Sequence, residues 1–292
     1  MRTATTKTVI AMVVSAILFG VSSCSTESEP PTHAEEIEAR GVIRIGVVGD
    51  DVPLFSVVRG TEFADGFQPA LAKDIVDRVF GDIGIEWVSL DRLGALSALD
   101  DAEVDLVFGL TRLSAYEGEA RFSRNYFLDG VGTIVHTDAA ITEVADLDGK
   151  AVAQPVPTRA ASIIEAYLRE NDISVQYVSF HPAEVSVAKL IEGEVDALTW
   201  SWIGGWGLAS DDPSLTVLPV EFTDPLAIAL RLDDEDFLSI VDGALGAAIR
   251  DETWQQLFDR FYQIQVPWVL EDMRNASLVE AKWPIPEDCA SP

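Results

Sequence analysis

Residues 150–199 read KAVAQPVPTRAASIIEAYLRENDISVQYVSFHPAEVSVAKLIEGEVDALT and contain the pattern that decides the fold. Short apolar runs alternate there with segments in which apolar residues recur at helical spacing. The pattern predicts strands at 150–153, 175–180 and 195–199 and helices at 159–171 and 182–192. Strands separated by helices of this length are typical of βαβ units in a mainly parallel sheet. The segment therefore predicts an α/β fold.

The same order occurs earlier in the chain. Residues 42–108 predict three strands, at 42–47, 85–88 and 104–108, and two helices, at 69–80 and 93–99. A further strand at 226–230 and helical apolar spacing between 235 and 261 follow the second unit. Two α/β units of similar rhythm predict two lobes. The sequence has neither the fixed-period repeat of a solenoid nor the heptads of a coiled coil.

Composition excludes several classes of protein. The chain has 292 residues, of which 48% are hydrophobic, so it has enough apolar material for a sizeable core. Lys and Arg together number 20 against 49 Asp and Glu, which gives a formal net charge of −29. A field of this sign repels a polyanion, and we therefore expect no nucleic-acid partner.

The amino terminus has the features of an export signal. Arg2 and Lys7 precede an apolar run at 9–21, which at ~1.5 Å per helical residue is too short for the ~30 Å hydrocarbon core of a membrane. It predicts a secretory signal peptide at 1–23. Residues 21–24 (VSSC) resemble the bacterial lipoprotein signal, which predicts lipid attachment at Cys24. An ordinary signal peptide that happens to contain a cysteine is the alternative.

A polar, acidic and proline-containing stretch follows, and residues 24–40 are predicted to form a lipidated tether. The protein is thus expected outside the cytoplasm, held at the membrane through the lipid of Cys24 only. Cys289 is the only other cysteine, so no zinc cage is predicted, and residues 271–292 are interpreted as a C-terminal tail. The three histidines, His33 in the tether, His136 and His181, form no catalytic motif, and we expect neither a metal nor another cofactor.

Several short segments resemble a known family in both sequence and order. They are 41–46 (GVIRIG), 65–67 (DGF) with 71–75 (LAKDI), 103–107 (EVDLV), 122–126 (FSRNY), 146–150 (DLDGK) and 190–197 (LIEGEVDA). From residue 41 to about 268 the chain is similar to the bacterial extracellular solute-binding proteins of family 3, the polar-amino-acid receptors of ABC importers.

The resemblance implies a periplasmic-binding-protein-like type II fold, with two α/β lobes joined by two hinge strands. Lobe 1 would comprise 41–134 and 226–270, and lobe 2 would comprise 135–225. The hinge crossings would lie at 132–136 and 224–230. A ligand would be enclosed between the lobes by a hinge motion.

The resemblance also implies two charged anchors for an amino acid, and this chain has neither. A Thr corresponds to Thr111, but the Arg that clamps the α-carboxylate five residues later is replaced by Tyr116. The Asp that anchors the α-ammonium is replaced by Ser201. Loss of one partner of a desolvated charge pair costs about 2–5 kcal/mol, and a tenfold change in affinity is ~1.4 kcal/mol. We therefore expect a solute other than a free α-amino acid.

Other residues are candidates for ligand contacts. Arg92, Arg112 or Arg159 could replace the missing clamp, or each could lie on a solvated face. Thr158 and Arg159 stand at the helix start that meets the carboxylate in the family. Asp51 follows the first strand, where it could accept hydrogen bonds from a solute or serve as a loop acid. Trp200, together with Trp202 and Trp206, could cover a cation or a sugar ring, or could pack within lobe 2.

These observations predict a monomeric, non-enzymatic lipoprotein that captures a small polar solute for an ABC importer. The solute would be amino-acid-like, an amine or a polyol, and the protein partner would be the transporter permease. One alternative is a dehydratase-like enzyme on the same scaffold, for which Asp51 and Tyr116 are the candidate acid or base groups. Another is an accessory or sensory protein that does not take part in import.

Overall fold

The computed structural model describes residues 30–48, 51–52, 55–113, 116, 118–154, 159–180, 183–210, 212–218 and 223–262. From Thr32 onward these residues belong to one compact unit. The predicted signal peptide, Cys24, Cys289 and the predicted C-terminal tail lie outside the described residues. No helix in the described part of the chain is both long and apolar enough to span a membrane.

The strands and helices that the sequence predicts occur in the predicted order, together with further elements that it did not predict. In chain order the elements are α1 (His33–Arg40), β1 (Val42–Val48), β2 (Asp51–Val52), β3 (Ser56–Arg59), β4 (Phe63–Asp65), α2 (Phe67–Phe80), β5 (Gly84–Leu90), α3 (Arg92–Asp100), β6 (Leu106–Thr111), β7 (Ala120–His136), β8 (Ala151–Ala153), α4 (Arg159–Glu170), β9 (Gln176–Val178), α5 (Ala183–Ile191), β10 (Ala197–Ser201), α6 (Trp202–Ala209), β11 (Leu215–Val217), β12 (Thr223–Arg231), α7 (Glu235–Arg250) and α8 (Thr253–Phe261). A short 3-10 helix, Val144–Leu147, precedes β8.

Most strands form one large sheet in the order β5-β1-β6-β12-β7-β10-β8-β9, with β11 also paired to β7. The strands at both ends of this order pair in parallel. The strands in the middle pair antiparallel, which makes the sheet mixed. The antiparallel middle of the sheet is formed by β7 and β12, which lie side by side and run in opposite directions. The prediction of an α/β fold is confirmed.

Strand β7 passes from one half of the sheet to the other. Its 17 residues pair first with β12, up to the pair of Gly130 with Thr223. From Val131, which pairs with Ser201, its partner is β10. We call β5, β1, β6 and β12 with the start of β7 the first half, and β10, β8, β9 and β11 with the end of β7 the second half. The change of partner falls just before the predicted crossing at 132–136.

Each half has its own apolar core. The first-half core is rich in aromatic rings, with Phe67, Trp254 and Phe258 fully buried and the last two stacked with centroids 5.3 Å apart. The second-half core joins β7, β8 and β10 to the buried face of α4, on which Ile163 and Ile164 lie. Full burial of one such apolar side chain stabilises the fold by about 1.5–3 kcal/mol.

Helix α1 corrects the predicted extent of the tether, because residues 33–40 are helical. Thr32 caps the helix: its hydroxyl accepts from the Glu35 backbone N–H (3.3 Å), while the Glu35 carboxylate accepts from the Thr32 N–H (2.8 Å). Ile37 is fully buried in the first-half core. One apolar residue in a polar stretch was too weak a periodic signal, and the ion pairs that hold this helix are with distant residues.

The helical spacing predicted between 235 and 261 is interrupted. Helix α7 ends at Arg250 and α8 begins at Thr253. Glu252 between them has a φ of 67°, in the left-handed region that a helix cannot contain. The bend lets α7 and α8 both pack against α2.

Candidate functional site

The strand ends of the two halves define the candidate site. In open α/β sheets, ligands bind beyond the carboxyl ends of the strands. In the first half these ends belong to β1 and β6, and in the second half to β8 and β10. Gly109 allows the close approach in the first half: its φ is 88°, and a Cβ there would lie 2.1 Å from the carbonyl oxygen of Val48 at the end of β1.

Two of the predicted first-half residues lie at the end of β6. Thr111 is its last residue, 4% exposed and paired with Leu226 of β12. Arg112 follows, and its guanidinium donates from Nη1 to the carbonyl oxygen of Ser123 (3.1 Å). Burial would raise the pKa of Asp242 on α7, but hydrogen bonds from Arg124 outweigh burial and lower it. The charge of Arg112 adds to this lowering. The guanidinium of Arg112 is therefore directed toward β7 and α7.

The other first-half candidates are placed less completely. Arg92 is the first residue of α3, which Asp91 caps by accepting from the Gly94 N–H (2.7 Å). Tyr116 is half-buried, and its backbone N–H donates to the carbonyl of Leu113 (3.0 Å). Asp51 lies in β2, but its side chain is outside the described residues.

In the second half, Trp200 and Ser201 end strand β10. Trp200 is half-buried and pairs with Gly132 of β7. Ser201 is the N-cap of α6, and its hydroxyl accepts from the Gly204 N–H (3.1 Å). Thr158 lies outside the described residues, as does the side chain of Arg159, whose backbone begins α4.

The two further tryptophans pack away from the strand ends. Trp202 is 8% exposed and belongs to the first-half core. Trp206 meets Tyr262 edge-on, with ring centroids 6.3 Å apart, and lines a surface cavity of about 260 Å³ beside β11. Of the three, Trp200 is the one at the end of a central strand.

Asp129 is a functional candidate that the sequence analysis missed. It is 6% exposed, and its carboxylate accepts from the backbone N–H of Ile203 in α6 (3.0 Å). Burial raises the pKa of Asp129 to about 7, and the charge of Asp224 adds to this effect. Hydrogen bonds from Ile203, Gly130 and Ser201 oppose the rise. An acid in the otherwise apolar run 127–131 (FLDGV) was the available signal.

The described histidines lie away from the ends of β1, β6, β8 and β10 that define the candidate site; His136 ends the antiparallel strand β7. His33 donates from Nε2 to Asp105 (3.1 Å) and from Nδ1 to Asp234. His136 contacts the carbonyl oxygen of Leu190 (2.8 Å), and His181 is outside the described residues. Within the described part of the chain, no group of three His, Cys, Asp or Glu side chains could hold a metal ion.

Comparison with known proteins identifies the family. Residues 43–264 match the bacterial extracellular solute-binding proteins, family 3. The chain belongs to this family. The predicted family and the predicted two-lobed α/β fold are both confirmed.

Relatives of known name are amino-acid-binding proteins. The chain is 28% identical over 218 residues to a glutamine-binding protein of Geobacillus stearothermophilus, with 73% of this chain and 82% of the relative covered. It is 24% identical over 236 residues to an L-cystine-binding protein of Escherichia coli (strain K12), with 79% and 86% covered.

A solved structure shows the same fold. The cysteine-binding protein from Campylobacter jejuni has a TM-score of 0.65 and 22% identity, with 83% of this chain and 98% of the other covered. Another solved structure is titled as an ancestral amino-acid-binding protein, a precursor of cyclohexadienyl dehydratase; it has a TM-score of 0.64 and 24% identity, with 80% of this chain and all of the other covered.

Proposed function

We propose that this family 3 protein captures a small polar solute between its two halves and presents it to the permease of an ABC importer. The observation that carries the proposal is the path of β7, which changes partner at Val131, beside the end of β10. Strands β7 and β12 thereby connect two halves whose strand ends are the candidate contact surfaces. The amino-acid-binding relatives support the same class of function.

The solute is proposed to lack the α-carboxylate and α-ammonium pair of a free amino acid. Tyr116 and Ser201 occupy the two anchor positions, and the Ser201 hydroxyl is engaged at the start of α6. Arg112 donates from one guanidinium nitrogen to the carbonyl of Ser123, so a contact with the solute would use its other N–H groups. An amine, a polyol or an amino-acid-like compound fits this set. The proposed contacts are Asp51, Arg92, Thr111, Arg112, Tyr116, Thr158, Arg159, Trp200 and Ser201.

The mechanism is a population shift between an open and a closed arrangement. Lobe 1 at 41–134 and 226–270 would move relative to lobe 2 at 135–225 about crossings at 132–136 and 224–230. A solute that contacts both lobes only in the closed arrangement favours that arrangement by its differential affinity. Closure is what a permease would recognise.

The protein is further proposed to be a monomer exported by its signal peptide and anchored by lipid on Cys24. Because α1 starts at His33, the proposed tether would run from Cys24 to about Thr32 and not to residue 40. Export and lipid attachment are tested by labelling cells with a radioactive fatty acid and comparing the chain with its Cys24→Ala variant. Label on both proteins, or on neither, would contradict the anchor.

Solute capture is tested by a thermal-shift screen of the mature chain against amino acids, amines and polyols. A solute at ~100 times its dissociation constant adds ~2.7 kcal/mol to the free energy of unfolding. A true receptor returns the solute unchanged, whereas a dehydratase-like enzyme returns a product. If no compound in the screen raises the melting temperature, solute capture is contradicted. If the compound recovered is chemically altered, the dehydratase-like enzyme is favoured.

A further inference from the structure

Three polar side chains at adjacent positions of the second-half sheet have buried atoms without a hydrogen-bond partner. Thr133 on β7 pairs directly with Thr199 on β10, and the two residues are 2% and 1% exposed. Gln154 follows Ala153, which pairs with Leu198, so Gln154 lies next to Thr199. Thr133 Oγ1, Thr199 Oγ1 and Gln154 Nε2 are all shielded and unpartnered. We call these three residues the polar row.

The polar row faces helix α4. Side chains two apart on a strand share a face, and each member of the row lies two residues from a member of the second-half core. These core neighbours are Val131 and Val135 for Thr133, Ala197 for Thr199 and Val152 for Gln154. The same core contains Ile163 and Ile164 of α4. The row is therefore on the α4 side of the sheet, toward the end from which α4 starts.

A partner from outside the chain accounts for these groups best. Buried polar atoms in folded proteins are nearly always hydrogen-bonded, and three adjacent exceptions in one row are unexpected for packing alone. Gln154 lies directly after the end of β8, on the second-half side of the candidate site, and Thr199 and Thr133 lie level with it on β10 and β7, two residues inside the end of β10. A group of the solute enclosed at this edge would supply the missing bonds.

The donors in the row define the chemistry of that group. The Gln154 amide nitrogen can only donate, whereas each Thr hydroxyl can donate or accept. The core neighbours of the row are apolar. A carboxylate buried there would have no positive charge on this row to pair with. An ammonium would face the amide N–H of Gln154, and two donors cannot bond each other. An uncharged oxygen suits the row: a hydroxyl satisfies all three groups by accepting two hydrogen bonds and donating one, and an amide carbonyl accepts from two of them.

We propose that the polar row binds an uncharged oxygen of the solute and makes this receptor selective for neutral polar groups over their charged counterparts. This inference rests on the proposed function, because it assigns the solute class of the same site. The row contains none of Thr158, Arg159 and Ser201, the second-half residues that the family resemblance implies as ligand contacts.

The test compares the wild-type protein with a Thr133→Val/Thr199→Val double variant, because Val keeps the shape of Thr and removes its hydroxyl. Calorimetric titration uses two matched pairs of probes that lack the α-carboxylate and α-ammonium pair: erythritol with 1,4-diaminobutane, and butyramide with butyrate. We expect the wild-type protein to prefer the neutral member of a pair. The double variant should bind that member at least tenfold more weakly, while its unliganded melting temperature stays the same or rises.

Thr216→Val is the matched control, since Thr216 is exposed on β11 of the same half and should leave affinity unchanged. Equal affinity of the wild type and the double variant would overturn the inference while leaving the proposed function standing, as would preference for the charged member. If wild-type protein binds none of the four probes, both the solute class and the inference fail. If the double variant does not fold, Thr199→Ser should retain binding and Thr199→Val should lose it.

Discussion

Asp129 on β7 lies directly opposite Asp224 on β12, at the point where these two strands join the halves of the molecule. Like charges directly opposite each other on neighbouring strands are destabilising. Asp129 is buried, and burial raises its pKa to about 7 from an ordinary value of 3.8, with the charge of Asp224 adding to the rise. The junction of the halves therefore contains a carboxyl group that changes charge near neutral pH.

This raised pKa predicts a definite pH dependence of stability. Between about pH 4 and pH 7 the folded protein holds a proton on Asp129 that the unfolded chain has released, so the free energy of unfolding falls as pH rises through this window. Above pH 7 both states are ionised and the loss is complete. Asp129→Asn, which keeps the acceptor for Ile203, should remove the loss and be more stable than wild type by roughly 4 kcal/mol at pH 8.

Denaturant unfolding at pH 4.5 and pH 8 measures this effect. Asp251→Asn is the control: Asp251 is exposed, and hydrogen bonds from Thr253 and Arg78 lower its pKa to about 2. It is ionised throughout the window, so its replacement should leave the pH dependence unaltered. A wild-type stability that does not fall between these pH values would contradict the assignment to Asp129.

Helix α1 is held by an ion-pair cluster whose contribution also falls as pH rises, but over a higher pH range. Burial alone would lower the pKa of His33, but its hydrogen bonds to Asp105 and Asp234 outweigh burial and raise it. The pKa of Asp105 is lowered, because bonds from His33, Arg44 and Arg40 outweigh burial. The contribution of protonated His33 is complete below about pH 6.5 and is lost as pH rises through its raised pKa.

His33→Gln should therefore destabilise the protein by about 1.5–3 kcal/mol at pH 6, the range for hydrogen bonds to charged groups. The difference from wild type should shrink as pH rises. Hydrogen exchange at the α1 amides measures this locally. Glu36→Gln, at an exposed position of the same helix, should preserve the wild-type pH profile. A His33→Gln deficit that is equal at pH 6 and pH 10 would refute the role of the charge.

Gly132 permits the close contact between β7 and α6. A Cβ at this position would lie 2.7 Å from the Cα of Trp202, which is backbone and cannot rotate away. Gly132→Ala should destabilise the fold by about 1–3 kcal/mol, as overpacking of a tight contact does. Gly243 on α7 has no atom within 4 Å of such a Cβ, so Gly243→Ala should stabilise by about 0.5–1 kcal/mol. Thermal unfolding of both variants compares them, and equal effects would contradict the contact.

Local sequence rules predicted those helices and strands that have a clear periodic apolar face or apolar run. Helix α4 was expected at 159–171 and spans Arg159–Glu170, and α3 was expected at 93–99 and spans Arg92–Asp100. Strand ends were less accurate. The strand expected at 104–108 is Leu106–Thr111, since its length is set by pairing with β1 and β12 and not by its own residues.

The long strand and the buried charges could not be predicted in this way. The 17 residues of β7 continue because two different partners, β12 and β10, each pair with part of them. His33 bonds to residues 72 and 201 positions away, so no local pattern reveals its place in the fold. The burial of Asp129 likewise depends on α6, which follows it by more than 70 positions.

Among the candidate site residues, the sequence predicted neither the strand ends nor the directions of the side chains. Thr111 and Ser201 end strands β6 and β10, beyond the ends predicted at 108 and 199. Arg112, a possible replacement clamp, donates to the carbonyl of Ser123, because β7 offers it an acceptor. Which acceptor an arginine such as Arg112 bonds depends on the tertiary arrangement around it, which the local sequence does not contain.

The central claim is that a solute draws the two halves together, and small-angle X-ray scattering tests it most directly. The mature protein is measured alone and with the compound that gives the largest shift in the thermal screen, at saturation. The account predicts a smaller radius of gyration with the solute and no change with a compound that gives no shift. A saturating solute that raises the melting temperature yet leaves the radius of gyration unchanged would contradict it.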